Sequence, residues 1–292
     1  MNDFTDSITL PDRHIIQKVP ENAYARMRAR IRSLSLTRRH ANDLFLGHTI
    51  REHQFVSAEY NRIYQLSNEK WLAKNRSRRL KLHYRNQIIT GDGFFLRTVY
   101  NQLISHALRK FNVTSVLEVG SGRGNNIIAL ASENPKVDFA GVEHSSHGVK
   151  ESRRWIESVS QIPPEILISP STVEKDKKFD HVRFLEGDAR KLSFEDNTFD
   201  AAFTVLVLEQ IPYEYPEVLE EMKRVSRRFC FFIEPFREAN SFFGRSYLRK
   251  VDYFRFSYKR FKKFGLLPLA FFTDYPQKEK FQTGFLVVQV KK

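Results

Sequence analysis

The chain has 292 residues, 41% of them hydrophobic and 13% aromatic, which is enough to build a sizeable globular core. Its single cysteine excludes an internal disulfide framework, and no apolar run approaches the roughly 18 to 20 residues of a membrane-spanning helix. The polar residues 1–6 lack the basic-then-apolar pattern of a secretion signal, so we expect a cytoplasmic protein.

The formal net charge of +14 is unevenly distributed. Residues 1–112 carry 20 basic and 9 acidic side chains, residues 113–236 carry 15 and 21, and residues 237–292 carry 13 and 4. An acidic middle is therefore flanked by two basic parts. This pattern favours an anionic partner, such as a phosphorylated or glycan substrate, a nucleic acid or an acidic membrane surface. Basic helix surfaces that only improve solubility give the same pattern.

The first 112 residues are predicted to form a helical N-terminal extension. Apolar residues recur at helical spacing in three segments, residues 24–34, 41–66 and 94–111. A basic run at 76–81 and the glycine-rich break Thr90–Gly93 precede the last of them. Such helices form either a lid or substrate-recognition region, or an ordinary layer packed on a sheet, because both have the same sequence signature.

Glycine occupies every second position of the segment Gly120–Gly124, which follows the apolar run 116–119 and precedes a helix predicted over 125–134. Glycine permits positive φ and removes the Cβ that would hold a ligand away, while the helix start offers unpaired N–H groups. The loop therefore suits a nucleotide. A dinucleotide fingerprint would need a third glycine where Asn125 stands, which disfavours NAD. Glu143 ends the next apolar run, where an acid can accept both hydroxyls of an unphosphorylated ribose.

Four landmarks in this order resemble the class I S-adenosylmethionine-dependent methyltransferases, over residues 113–292. They are the acidic glycine loop Glu118–Gly124, the acid Glu143, the loop Gly187–Ala189 and the segment Phe199–Gln210. The resemblance implies an α/β fold, a Rossmann-like doubly wound sheet of seven strands with a closing antiparallel strand pair. It also implies S-adenosylmethionine as the cofactor, with the Asp188 side chain on the adenine amino group.

The predicted cofactor-binding residues follow these landmarks. They are Glu118, Gly120, Ser121, Gly122, Gly124, Glu143, His144, Asp188, Ala189 and Thr204. His144 is a candidate only because it follows Glu143, and a solvent-facing loop residue is the alternative. The histidines show no metal-ligand spacing, so no metal site is expected.

The later elements continue the alternation of helices and strands. Helices are predicted over 145–160 and 215–228, a strand over 229–233, a closing strand pair over 266–273 and 284–291, and an exposed insertion over 161–180. Cys230 is predicted to be buried in its strand rather than to act as a nucleophile. Residues 244–264 have the pattern of a basic amphipathic helix, which either touches a membrane or a lipid-linked substrate, or packs its aromatic face on the sheet.

The candidate catalytic residues depend on the chemistry of the cofactor. A sulfonium methyl group is already activated, so the protein mainly has to align a nucleophile and exclude water. A hydroxyl nucleophile also needs a base near the end of the fourth or fifth strand, and Glu209, Tyr213 and Glu234 are candidates by position. Gln210 is better suited to orienting a substrate, because an amide cannot take a proton at neutral pH. Many small-molecule members of the family carry His there.

The leading hypothesis is a methyltransferase that acts on a small-molecule or glycan acceptor, anionic in character, with O-methylation favoured. An RNA methyltransferase would suit the charge, but the sequence has no recognisable RNA-binding module. A noncatalytic S-adenosylmethionine-binding subunit of a complex is the third hypothesis. A degenerate site would usually lose a glycine or the ribose acid, and this chain keeps both.

Overall fold

The computed structural model describes residues 8–20, 64–157, 162–170 and 179–291. The strands are β1 (Ile15–Pro20), β2 (Leu80–Tyr84), β3 (Gln87–Gly91), β4 (Ser115–Val119), β5 (Asp138–Glu143), β6 (Val182–Glu186), β7 (Phe199–Val205), β8 (Ser226–Glu234), β9 (Leu266–Phe272), β10 (Gln277–Lys278) and β11 (Gly284–Val290). The α-helices are α1 (Asn68–Ser77), α2 (Phe95–Lys110), α3 (Asn125–Glu133), α4 (Ser146–Glu157), α5 (Tyr215–Val225) and α6 (Phe242–Lys250).

Seven strands form the larger sheet, in the order β6-β5-β4-β7-β8-β11-β9. The five strands from β6 to β8 in this order run parallel, and β11 is antiparallel to both of its neighbours. This confirms the predicted doubly wound sheet and its closing antiparallel pair. The strand order reverses at β4, so the carboxyl ends of β4 and β7 border the crevice in which open α/β sheets bind ligands.

The central strands are apolar on both faces because helices cover the sheet on both sides. Side chains alternate between the two faces, so Val116 and Phe231 belong to one buried cluster and their neighbours Leu117 and Phe232 to the other. Cys230 is buried within the second cluster, as expected from its apolar surroundings.

A second sheet, in the order β1-β3-β2-β10, is built mainly from the N-terminal extension. The prediction of a helical extension is therefore wrong for these strands, although the helix predicted over 94–111 is confirmed as α2. Arg85 and Asn86 connect β2 to β3 with φ values of 43° and 62°, the conformation of a tight hairpin turn. The predicted helices over 24–34 and most of 41–66 lie outside the described residues.

Two other predicted helices are shorter than expected. The helix predicted over 215–228 ends at Val225, because β8 begins at the next residue. The prediction of one helix over 244–264 is wrong: α6 ends at Lys250, Asp252 has a positive φ of 52°, and a separate 3-10 helix runs over Tyr258–Phe264. Phe254, between them, is fully buried, which agrees with an aromatic face packed against the sheet. Among the described residues, no helix combines the length and apolarity needed to cross a membrane.

Candidate functional site

A cavity of about 400 Å³ lies at the carboxyl ends of β4, β5 and β7. The glycine loop and residues 142–145 at the end of β5 form one side, and the turn after β7 forms another. The remaining wall comes from α1, β2, α2 and β10, which are elements outside the parallel sheet. The added sheet therefore helps to close the crevice that the topology leaves open.

Glycine is required in the loop by both conformation and space. Gly120, Gly122 and Gly124 have φ values of 75°, 56° and 74°, which side chains with a Cβ rarely adopt. A Cβ at Gly120 would also lie 2.5 Å from Cγ2 of Val207. Gly120, Ser121 and Gly122 line the cavity, so a ligand can approach the backbone here.

Two side-chain oxygens of cavity-lining residues at this loop are buried without a hydrogen-bond partner in the described part of the chain. They are the Ser121 hydroxyl and Oδ1 of Asn125, and both residues line the cavity. Buried polar atoms normally have a partner, so these two indicate a place that a polar ligand completes. The cradle therefore fits an adenosyl ligand with its hydroxyl and amino groups.

Glu143 lines the cavity at the end of β5 and also fixes the glycine loop. Its Oε2 accepts the backbone N–H of Gly122 at 2.8 Å, and its Oε1 accepts that of Ser145 at 2.9 Å. Burial raises the pKa of Glu143, and these two hydrogen bonds oppose the shift. A carboxylate has about four acceptor sites, so Glu143 can still accept ribose hydroxyls.

Glu118 lies beneath the cavity wall instead of lining it. Its Oε1 accepts Nδ2 of Asn126 at 2.6 Å, and Oδ1 of Asn126 accepts Nη1 of Arg97 at 2.9 Å. Asn126 and Arg97 both line the cavity. Burial raises the pKa of Glu118 to about 8, against the effects of Asn126 and Arg97. Glu118 thus orients the Arg97 guanidinium at the cavity wall through the side-chain amide of Asn126.

Asp188, Ala189 and His144 line the same cavity. The Asp188 carboxylate forms a two-pronged ion pair with Arg190, with its Oδ2 2.6 Å from Nη2 and its Oδ1 3.0 Å from Nε. Arg190 also lines the cavity. The acid at the predicted adenine end is therefore held in a fixed orientation by an arginine.

Thr204 and Glu234 do not line the cavity. Both are fully buried, and Thr204 donates its hydroxyl to Oε1 of Glu234 at 2.9 Å. The same oxygen accepts the backbone N–H groups of Val207 and Leu208, at 2.9 and 3.1 Å. Burial and the neighbouring Glu209 raise the pKa of Glu234 to about 8. Glu234 consequently holds the turn after β7 and is not exposed to an acceptor.

Of the three other catalytic candidates, two line the cavity and one does not. Glu209 and Gln210 line the cavity, on a short 3-10 helix after β7. Tyr213 does not, because its hydroxyl donates to Oδ1 of Asp252 at 2.8 Å on the surface. This hydrogen bond raises the pKa of Tyr213. Of the candidates for a base, the structure brings only Glu209 to the cavity.

Several cavity residues were not predicted. Trp71, Arg78, Leu80, Arg97, Tyr100 and Lys278 belong to the N-terminal extension or to β10. In the sequence, only the basic run at 76–81 indicated a binding surface in this part of the chain, and the run does not show which of its side chains faces the cavity. Among the described residues, no group of histidines, cysteines and acids is arranged to hold a metal ion.

Arg123, inside the glycine loop, ties the loop to the chain before α1. Its guanidinium donates to the backbone carbonyls of Tyr64 (3.1 Å) and Leu66, and to Oδ1 of Asn68 (2.9 Å). Its side chain is buried. Residues 64–68 are thereby fixed beside the cofactor cradle.

Comparisons with known proteins agree with this architecture. Residues 110–243 match a family described as a methyltransferase domain. A demethylmenaquinone methyltransferase from Anoxybacillus flavithermus is 26% identical, over 63% of this chain and 76% of the relative.

Solved structures with a similar fold include the cyclase SpnF, with a TM-score of 0.56 and 14% identity over 81% of this chain and 95% of that chain. They also include a magnesium protoporphyrin IX methyltransferase from Synechocystis PCC 6803 with bound S-adenosylhomocysteine, with a TM-score of 0.50 and 14% identity over 67% of this chain and 83% of that chain. At these identities the structures support the fold alone. The family match over residues 110–243, the sheet order and the four landmarks together support a class I S-adenosylmethionine-dependent methyltransferase domain in this chain.

Proposed function

We propose that this protein transfers the methyl group of S-adenosylmethionine to an oxygen of a small-molecule or glycan acceptor that carries negative charge. The observation that carries the proposal is the composition of the cavity: the glycine cradle and Glu143 lie on one side, and Glu209 and cationic side chains lie around the rest. A volume of about 400 Å³ is typical of a small-ligand site.

The cradle would hold the cofactor by its ribose and by its amino-acid end. Glu143 would accept the ribose hydroxyls, and Asp188 would accept the adenine amino group. Arg97 is suited to the carboxylate of the cofactor, because the chain Glu118–Asn126–Arg97 fixes its guanidinium beside the glycine loop. These assignments follow from the positions of polar groups around one cavity.

Bound S-adenosylmethionine supplies a methyl group on a sulfonium, which a correctly placed nucleophile can accept. Glu209 would take the proton of the acceptor hydroxyl at its carboxylate. Gln210 would orient Glu209, because its Nε2 donates to Oε1 of Glu209 at 2.7 Å. Glu234 would act indirectly, by fixing the turn that carries both residues. The protein thus has to align and deprotonate the acceptor.

The name of the curated relative suggests a second acceptor class, a demethylmenaquinone. Trp71, Leu80 and Leu96 line the cavity and give it an apolar part that would suit such an aromatic ring. This acceptor would differ from the first proposal in carrying no anionic group. The two acceptors can therefore be separated by their dependence on charge.

Incubation with S-adenosylmethionine labelled on its methyl group, and with separate small-molecule, lipid and RNA fractions of a cell extract, tests the proposal. Label in the small-molecule fraction supports it, and label in a quinone of the lipid fraction supports the second acceptor. Label in RNA would replace both with an RNA methyltransferase. Binding of S-adenosylhomocysteine without any labelled product would indicate the noncatalytic subunit. The variant Gly120→Ala, whose Cβ would meet Val207, is the control for cofactor-dependent labelling.

A further inference from the structure

Arg78 and Lys278 line the cavity on the wall that the added sheet provides. They are brought together by strand pairing. Arg78 is the C-cap residue of α1 and lies two residues before the start of β2, and β10, which contains Lys278, pairs with β2. The register places Lys278 opposite Leu82. Two cations that are 200 residues apart in sequence thus share one wall.

Neighbouring basic residues have other partners and do not line the cavity. Arg76 forms an ion pair with Glu165, with 2.6 Å between Nε and Oε1. The Arg79 guanidinium donates to the backbone carbonyl of Arg76 at 2.9 Å. Lys280 lies over the ring of Tyr247. Among the basic side chains of these two segments, the structure turns only Arg78 and Lys278 into the cavity.

Within the described residues, the charge of this wall is compensated only in part. In the part of the chain that the structure describes, neither Arg78 nor Lys278 has a carboxylate within ion-pair distance. Burial lowers the pKa of Lys278, the carboxylate of Glu209 raises it, and the guanidinium groups of Arg78 and Arg97 lower it further. An anion bound here would compensate a cluster of like charges in a partly enclosed space.

The surroundings of these cations also limit the ligand. Trp71, Leu80 and Tyr100 line the same cavity, and the Lys278 ammonium lies 5.1 Å from the ring centroid of Phe281. We propose that Arg78 and Lys278 form a subsite for the carboxylate or phosphate group of the methyl acceptor, whose remaining body is aromatic or otherwise apolar. This inference rests on the proposed function and adds the chemical class of the acceptor. Arg97 is assigned to the cofactor, which separates the two anionic groups.

Binding of small probes to the protein saturated with S-adenosylhomocysteine tests the subsite. The probes are 4-hydroxybenzoate, phenyl phosphate and the neutral 4-hydroxybenzamide, measured by calorimetry. We expect at least one anionic probe to bind about tenfold more tightly than the amide, which corresponds to about 1.4 kcal/mol. Lys278→Met and Arg78→Met should each remove most of this preference. The matched variants Lys280→Met and Arg79→Met should keep it.

Trp71 gives a second measurement that needs no ligand. The ratio of iodide quenching to caesium quenching should be higher for Trp71 than for free N-acetyltryptophanamide, because the cations concentrate anions beside the ring. Lys278→Met should reduce quenching by iodide and leave quenching by neutral acrylamide unchanged. Trp155 is buried at 4% exposure and contributes little to the difference.

Equal binding of the anionic and neutral probes, or failure of every anionic probe to bind, would overturn the inference. A ratio of iodide quenching to caesium quenching equal to that of free N-acetyltryptophanamide would do the same. If Lys278→Met and Arg78→Met instead weaken S-adenosylhomocysteine, both residues belong to the cofactor site and the acceptor subsite is wrong. If the proposed function itself is wrong, the result is different: the wild-type protein would fail to bind S-adenosylhomocysteine or to label any acceptor.

Discussion

Nε2 of Gln210 donates a hydrogen bond to Oε1 of the adjacent Glu209 at 2.7 Å, and both residues line the cavity. The amide therefore fixes one oxygen of the only proposed base that reaches this cavity among the described residues.

Glu209→Gln should lower kcat by roughly 100-fold, since the amide keeps the shape of the side chain but cannot take a proton. The dissociation constant of S-adenosylhomocysteine should stay within about twofold of wild type. Turnover with the labelled acceptor and calorimetric titration check the two expectations. Glu217→Gln, at an exposed position on α5, is the matched control. Unchanged kcat in Glu209→Gln would rule out Glu209 as the base.

Glu143→Ala should weaken S-adenosylhomocysteine binding by about 1 to 3 kcal/mol, because it removes an acceptor for the ribose hydroxyls. It also removes the hydrogen bonds that hold Gly122 and Ser145, so part of the loss comes from the loop. Calorimetric titration of Glu143→Ala and Glu209→Ala compares the two acids. The ribose assignment is wrong if Glu143→Ala binds as tightly as wild type.

S-adenosylhomocysteine should raise the melting temperature, whereas NAD should not. A ligand that binds only the native state stabilises it by RT ln(1 + [L]/Kd), about 2.7 kcal/mol at 100 times Kd. A thermal melt with each ligand measures the shift. Gly120→Ala should lose most of the shift, since its Cβ would lie 2.5 Å from Val207. A shift with NAD alone would contradict the assigned cofactor.

The free energy of unfolding should fall as pH rises towards 8, in part because of Glu118. Burial raises the pKa of this group from 4.5 to about 8 in the folded state, so its protonated form favours folding. Its contribution is complete below the unfolded pKa and is lost as pH rises through the folded pKa. Glu118→Gln is neutral at every pH and should lack this component, which amounts to up to about 1.4 kcal/mol per pH unit.

Urea unfolding of wild type and Glu118→Gln between pH 5.5 and 8.5 tests this difference in slope. Glu220→Gln, at an exposed position, should follow wild type. Parallel curves for wild type and Glu118→Gln would show that the buried carboxyl does not titrate in this window.

The larger sheet could be predicted because each of its strands and loops is recognisable from a short stretch of sequence. Strands buried on both faces are apolar runs, and the loop after β4 can only be made with glycines at positive φ. These elements bring Gly120, Ser121 and Glu143 to the cavity, as their sequence positions indicated, and their contact with the cofactor stays a prediction.

The cavity wall that carries Arg78 and Lys278 could not be predicted because it depends on pairing between distant parts of the sequence. Nothing near Lys278 in sequence indicates that β10 pairs with β2. The hairpin turn at Arg85 and Asn86 also lacks the glycine that usually marks such turns. Glu234 was expected to face the ligand at the carboxyl end of its strand, but its side chain turns inward to hold the backbone of residues 207–209. The position of Glu234 in the sequence predicted its strand but not the hydrogen-bond partners of its side chain.

The buried guanidinium of Arg123 makes the cofactor loop and the chain at 64–68 energetically dependent on each other. If residues 64–68 moved away, a buried charge would lose three of its hydrogen-bond partners, which is costly. If the cofactor binds this loop as proposed, its binding and the ordering of residues 64–68 should be linked, and linkage acts equally in both directions. We therefore expect a ligand that binds the glycine loop to protect residues 64–68 from hydrogen exchange, even where it does not touch them.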